Sequence, residues 1–414
     1  MKLSRKFGIV GVLFTGLGMV ACSPQPDGEQ VPISEQVAGS QPGQQAISYP
    51  APLGEEEMGN SNVLAVPYAK SWAIIHDANF HSMIDGRFIV FDSTAKSHAY
   101  KGSMHGGTVG GIDVASDGTI YIATMYHSRG ISGERTDIIA IHDPVNLEKT
   151  GEIIVPAKRG SNMPFKNGFR LSGDDSLAFN YNFTPAASIS VVDMAAKKFL
   201  KEIPIPGCTL AYPMGAKGFA SMCGDGTMMA VGLDASGNVT QVTRSEKFNN
   251  IDDDSLFMKP VRFGDMLYFP TFTGNIQPID LSGDTPKPLA KWSLVSDDER
   301  GGNWRPGGWQ LIAGGGESDD KGVFYILMHA DGAEGSHKNG GPEVWVFDVK
   351  QKKRIDKIEL KTWGVSVAVV GDSLIVTNAE MQLDIYDLTK SRAYSHTFGD
   401  GIFTPFVVYT GQGQ

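Results

Sequence analysis

The sequence predicts an all-β protein, a seven-bladed β-propeller closed by pairing its N- and C-terminal strands. Three observations predict it. An apolar strand ending in Asp recurs, with copies at Phe88 to Asp92, Ile138 to Asp143, Ile189 to Asp193, Met229 to Asp234, Ile276 to Asp280, Val344 to Asp348 and Leu383 to Asp387. These aspartates are spaced 39 to 68 residues apart, about 49 on average, which is close to the period of propeller blades. No stretch carries the 3.6-residue apolar period of a long amphipathic helix.

The chain begins with an export signal over residues 1–22. Lys2, Arg5 and Lys6 precede an apolar run from Phe7 to Val20 that is too short to span a bilayer. The run ends Ala21-Cys22, a pattern similar to a lipobox, in which Cys22 would be lipidated. The alternative is an ordinary cleavage site with an incidental Cys. Either route places the mature protein in the periplasm, with a lipid anchor if Cys22 is modified. Residues 23–65 are rich in Pro, Gln, Gly, Ser and Glu and read as a flexible tether. The propeller domain is expected over 66–414.

Within that domain Trp72 to Ile75 and Arg87 to Phe91 read as antiparallel neighbours, joined by His76 to Gly86 (HDANFHSMIDG). Later units repeat one grammar: an inner strand, a turn such as Ser116-Asp117-Gly118, a second strand such as Thr119 to Thr124, the Asp-ended strand, then an outer strand such as Ile355 to Leu360. Asp-Gly between alternating apolar runs is a strong hairpin signal, and an Asp at a strand end bonds its own backbone two residues on. The longest interval, between Asp280 and Asp348, contains Ser296 to Arg300, read as a short helical turn. The apolar segment Ile402 to Tyr409 is expected to complete the first blade and so remove the sheet edges.

Composition narrows the function. A net charge of −10 argues against nucleic acid, which needs a basic surface. Cys208 and Cys223 flank a hairpin, and an oxidising compartment favours their pairing; two buried thiols are the alternative. There is no Gly-rich phosphate loop, no G-x-S-x-G and no H-E-x-x-H. His329, Asp331, Glu334 and His337 match no metal spacing, and Asp252-Asp253-Asp254 reads as a solvated turn, so no metal site is assigned. Three stretches are unusual for propeller loops: the Phe80 loop, Met125 to Asp137 (MYHSRGISGERTD), which joins two strands yet is too long and too charged for a hairpin turn, and Asn303 to Trp309 (NWRPGGW). Trp304, Arg305 and Trp309 are residue types favoured at binding hot spots, or else they cap blade interfaces.

Several motifs carry a resemblance that runs from about Trp72 to the C-terminus. GERTDIIAIHDPVNL (Gly133 to Leu147), NWRPGGWQ (Asn303 to Gln310) and the Cys208/Cys223 pair resemble the heavy subunit of methylamine dehydrogenase. MYHSRGISGERTD, CGDG, KWSLVSDDE and MHADGAEGSHK are closer to aromatic amine (aralkylamine) dehydrogenase. The resemblance implies a non-catalytic large subunit of a periplasmic quinoprotein. Two heavy and two light chains would assemble, with tryptophan tryptophylquinone and the catalytic base on the light chain and no cofactor or catalytic residue on this one. A primary amine would become an aldehyde plus ammonia, and electrons would pass to an azurin- or amicyanin-like copper protein. Phe80 would line the substrate channel. His81 and Met83 depart from the family's loop, as does the lipobox from its freely soluble habit. The other reading is a stand-alone, membrane-tethered propeller that binds or scaffolds; a propeller hydrolase with a central metal lacks evident inner-strand carboxylates.

Overall fold

The computed structural model describes residues 63–82, 84–160, 164–314, 322–399 and 404–412. The export signal, Cys22 and nearly all of the tether lie outside the described residues, as does Met83.

The described chain is a ring of antiparallel sheets, each an up-and-down meander running outward from the axis. The first sheet takes its inner strand, Pro405–Thr410, from the C-terminus and its others, Trp72–Asp77, Arg87–Asp92 and Tyr100–His105, from the start of the domain. Ile74 faces Tyr409 and Ile75 faces Val408 across that junction. The next three sheets begin with Gly111–Val114, Phe169–Leu171 and Cys208–Met214, and have four strands each. The fifth begins with Val261–Phe263 and has five.

The expected count of seven blades is corrected here. The described strands form five self-contained blades and one continuous eight-stranded sheet. The reason is the strand Lys353–Val370, which runs 18 residues without a break. Its first half pairs with Gly341–Asp348 and its second with Ser373–Asn378. Gly364 is the pivot, paired with Gly341 on one side and Asn378 on the other. A Cβ there would come within 2.8 Å of the side-chain ends of Leu327, Leu360 and Val376, which would have to shift to admit it. An Asp-ended strand therefore counts strands and not sheets: those ending at Asp348 and Asp387 share one sheet.

All seven aspartates do end strands or follow them by one residue, and each caps its turn. The Oδ1 atoms of Asp92, Asp143, Asp234, Asp280 and Asp387 accept the backbone N–H two residues on, and those of Asp193 and Asp348 the N–H three on. Middle strands are buried on both faces: every residue of Leu177–Asn182, Gly218–Cys223 and Ser373–Asn378 is buried, polar ones such as Asn180, Asn182 and Asn378 included. Outer strands alternate, as in Lys149–Val155. Neighbouring sheets touch through large rings, Phe179 on Phe219 at 5.1 Å, Tyr212 on Phe269 at 5.4 Å and Phe91 on Phe398 at 4.6 Å. Burying a side chain of this size stabilises by roughly 1.5–3 kcal/mol. Cys208 and Cys223 are paired residues of one hairpin and are joined by a disulfide.

Candidate functional site

Antiparallel meanders sort their connections by end. The loops between second and third strands, and the links to the next sheet, emerge together; the tight turns, including all seven Asp turns, emerge opposite. The first end carries exposed apolar side chains from several sheets: Phe80, Ile84, Tyr126, Ile131, Phe183 and Trp363. Among the described residues no exposed large apolar side chain lies within an Asp turn itself, though Tyr100, Val239, Ile355 and Tyr394 stand at or near the starts of the outer strands that follow.

Phe80 sits on this end, 38% exposed. Its position is set from below. The Asp77 carboxylate, buried at the top of Trp72–Asp77, accepts the Asn79 N–H at 3.0 Å and the Thr404 N–H and hydroxyl at 2.9 Å each. Asn79 takes a left-handed φ of 44°, which Asn tolerates better than most residues, and its amide donates to the Asp85 carbonyl. The Phe80 ring then meets the edge of Phe406, with centroids 5.1 Å apart. Phe406 leads to Trp309 at 6.0 Å, and Trp309 to Phe165 at 5.1 Å. This aromatic row crosses the mouth of the ring axis. Trp309 Nε1 fixes it by donating to the Pro164 carbonyl at 3.0 Å. His81 is exposed beside Phe80.

The other singled-out stretches resolve differently. Met125 to Asp137 is a hairpin extended past its sheet: strands reach Arg129 and Ser132, with Gly130 and Ile131 as the turn. The charge has a structural use at its base. Asp137 is fully buried and receives Arg135 Nε at 2.6 Å, Arg135 Nη2 at 2.7 Å and the Arg159 N–H at 3.0 Å. Burial pushes the Arg159 guanidinium down to about 10. Beside it lies a hollow of about 670 Å3 lined by Met125, Phe165, Phe183 and Met258 among others.

Trp304 and Trp309 part company. Trp304 packs on Trp345 at 5.1 Å, with Lys357 over both rings, so it serves the sheet interior. Trp309 serves the mouth. His329 and His337 do not converge: His329 is buried with Nδ1 at 3.0 Å from the Ala330 carbonyl, and His337 stacks on Phe272. Among the described residues no group of three or more His, Cys, Asp or Glu is arranged for a metal ion. Asp254 instead accepts from the Thr273 N–H and hydroxyl and pairs with Lys291. The sequence reading missed the Asp77 anchor and the axial lysines, Lys166 and Lys259. A signal for the latter was present, since both stand in short apolar runs, Pro-Phe-Lys and Phe-Met-Lys-Pro-Val, where a solvated lysine is out of place.

Fold and end-face together define a β-propeller with a polar turn end and an apolar, aromatic-rimmed end. A family model for the methylamine dehydrogenase heavy chain matches residues 69–387. The chain is 31% identical over 315 residues to the methylamine dehydrogenase heavy chain of Methylorubrum extorquens, covering 75% of this chain and 74% of that one. It is 29% identical over 330 residues to that of Methylophilus methylotrophus, covering 78% and 79%. With that of Paracoccus versutus the identity is 30%, over 76% and 73%. Among solved structures it is similar to the β-propeller domain of Myceliophteria thermophila Cps50 (Swd1), with a TM-score of 0.49 and 10% identity over 77% of this chain and 96% of that one. The chain belongs to the methylamine dehydrogenase heavy chain family and is a subunit of an amine dehydrogenase.

Proposed function

We propose that this chain is the non-catalytic large subunit of a periplasmic quinoprotein amine dehydrogenase, holding a light subunit on its apolar end and shaping the substrate channel there. The observation that carries the reading is the set of exposed apolar side chains, Phe80, Ile84, Tyr126, Ile131, Phe183 and Trp363, on the loops of the end that bears Phe80; the other exposed apolar residues lie mainly on outer strands. A large apolar patch on one end of a soluble ring marks a surface that another protein covers. Phe80 supplies a flat apolar wall for an amine's hydrocarbon tail and excludes water from it. Asp77 and Thr404 hold that wall in place.

The quinone, tryptophan tryptophylquinone, is assigned to the light subunit. The closest tryptophan pair described here, Trp304 and Trp345, does not fit such a group: Arg354 and Lys357 lie over the Trp345 ring and its Nε1 donates to Glu343. When present, the quinone would supply the two-electron oxidation of a primary amine to aldehyde and ammonia. A blue copper protein of the azurin or amicyanin type would receive the electrons, and the assembly would hold two heavy and two light chains.

The test is purification from the native host with mass spectrometry of each band, followed by amine-dependent dye reduction. The reading expects a small, Cys-rich partner, a quinone absorbance band and activity only in the complex. Turnover of an amine by this chain alone, or isolation without any partner, overturns it.

A further inference from the structure

The inner strands enclose a cavity of about 920 Å3 on the ring axis, walled by residues of Phe169–Leu171, Cys208–Met214, Val261–Phe263, Ile312–Gly314, Lys353–Val370 and Pro405–Thr410. Its charge is one-sided. Lys70, Lys166, Arg170, Lys259 and Arg262 line it, and no Asp or Glu does among the described residues. In a chain of net charge −10, that concentration is local and specific.

The arginines have carboxylates behind them. Arg170 Nε is 3.1 Å from Asp113, and Arg262 Nη2 is 3.5 Å from Asp265. The lysines at the aromatic mouth do not. Lys259 meets only ring faces, Trp309 at 3.5 Å and Phe165 at 5.7 Å. Lys166, next to Phe165 in sequence, lies over Tyr409 at 5.1 Å. Among the described residues neither ammonium has a hydrogen-bond or ion-pair partner. Burial pushes both down to about 7; at Lys166 the nearby Arg170 lowers it further and Asp113 raises it. A primary amine is itself a cation at neutral pH, so this cavity repels it; Phe80 does not line the cavity, and the proposal does not depend on the amine reading.

We propose that the axial cavity binds a small oxyanion through the ammonium groups of Lys166 and Lys259. The anion supplies acceptor oxygens to both ammonium groups. Phosphate, sulfate and small carboxylates share this chemistry.

The experiment is calorimetric titration of the purified protein, in the assembly in which it isolates, with sodium sulfate, sodium phosphate and sodium citrate. Sodium chloride of matched ionic strength is the control, and melting temperature is read in each salt. Saturable binding of at least one oxyanion, with a melting temperature above that in chloride, is expected; which salt binds identifies the source class. Lys166→Met and Lys259→Met should each weaken that binding about tenfold, the loss of one charge-assisted hydrogen bond, and the double variant should abolish it. No saturable binding in the unsubstituted protein overturns the proposal without recourse to variants. Full affinity retained by both single variants overturns it as well.

Discussion

The Lys259 ammonium lies 3.5 Å from the centroid of the Trp309 ring. A cation over an indole face is held by about 0.5–2 kcal/mol, more as water is withdrawn. Trp309 also touches Phe165 and Phe406 and bonds the Pro164 carbonyl. One residue therefore joins connections from three parts of the ring, and the charge it stabilises belongs to a fourth.

Burial of Lys166 and Lys259 sets a pH dependence. Lys166 and Lys259 are held at about 7 in the fold, while an unfolded lysine titrates near 10.4. Between these values the unfolded chain binds more protons, so the stability linked to these groups rises with pH from about 7 to about 10. Below 7 both are charged in either state and their burial penalty is complete. Urea titrations in chloride buffer from pH 6.5 to 9.5 should show that rise, and Lys166→Met/Lys259→Met should flatten it.

Phe80 is exposed and anchored through its neighbours' backbone, so Phe80→Ala should leave the melting temperature nearly unchanged. In the assembled enzyme it should alter the ratio of kcat/KM for an arylalkylamine over methylamine by about tenfold, the usual worth of one apolar pocket group. An unchanged ratio removes Phe80 from the channel.

The Cys208–Cys223 bond closes a loop with a sequence separation of 15, and such a link restricts the unfolded chain by roughly 3 kcal/mol. Cys208→Ser with Cys223→Ser should lower stability by about that amount and reduce yield more than specific activity. Titration of two thiols on these residues in native protein would contradict the bond.

Glu299 ties the 3-10 segment Asp297–Gly302 to the wide sheet. Its carboxylate takes both Nη atoms of Arg354, at 2.7 and 2.9 Å, and Lys357 at 2.9 Å. The Arg354 bonds hold it down at about 2. Its contribution is present above the ordinary glutamate range near 4.3 and is lost as pH falls toward 2. Glu299→Gln should cost about 1–3 kcal/mol at pH 7, measured by urea titration, with the gap narrowing below pH 4.

The Asp turns and the strands before them were legible because each depends on a few adjacent residues. The sheet count was not, because it turns on whether the strand through Gly364 breaks, and that depends on its pairing with Gly341 on one side and Asn378 on the other. The Met125 to Asp137 hairpin was misread for a related reason: its outer half extends beyond the core, where no apolar alternation marks a strand. Phe80 was singled out by its resemblance to a family loop, and the structure shows it exposed against Phe406. Asp77 and the axial lysines could not, since their roles depend on residues such as Thr404, Trp309 and Tyr409 that are distant in sequence.

The strand Pro405–Thr410 lies against Trp72–Asp77, more than three hundred positions earlier. Until the ribosome has passed Thr410, the opening sheet lacks its axial member and the circle has a gap. Closure is thus a late event that joins the chain's two extremes, and topologies dominated by such distant contacts fold slowly. Any factor that shields the waiting edge of Trp72–Asp77 in the interval would guard the protein against pairing with the wrong strand.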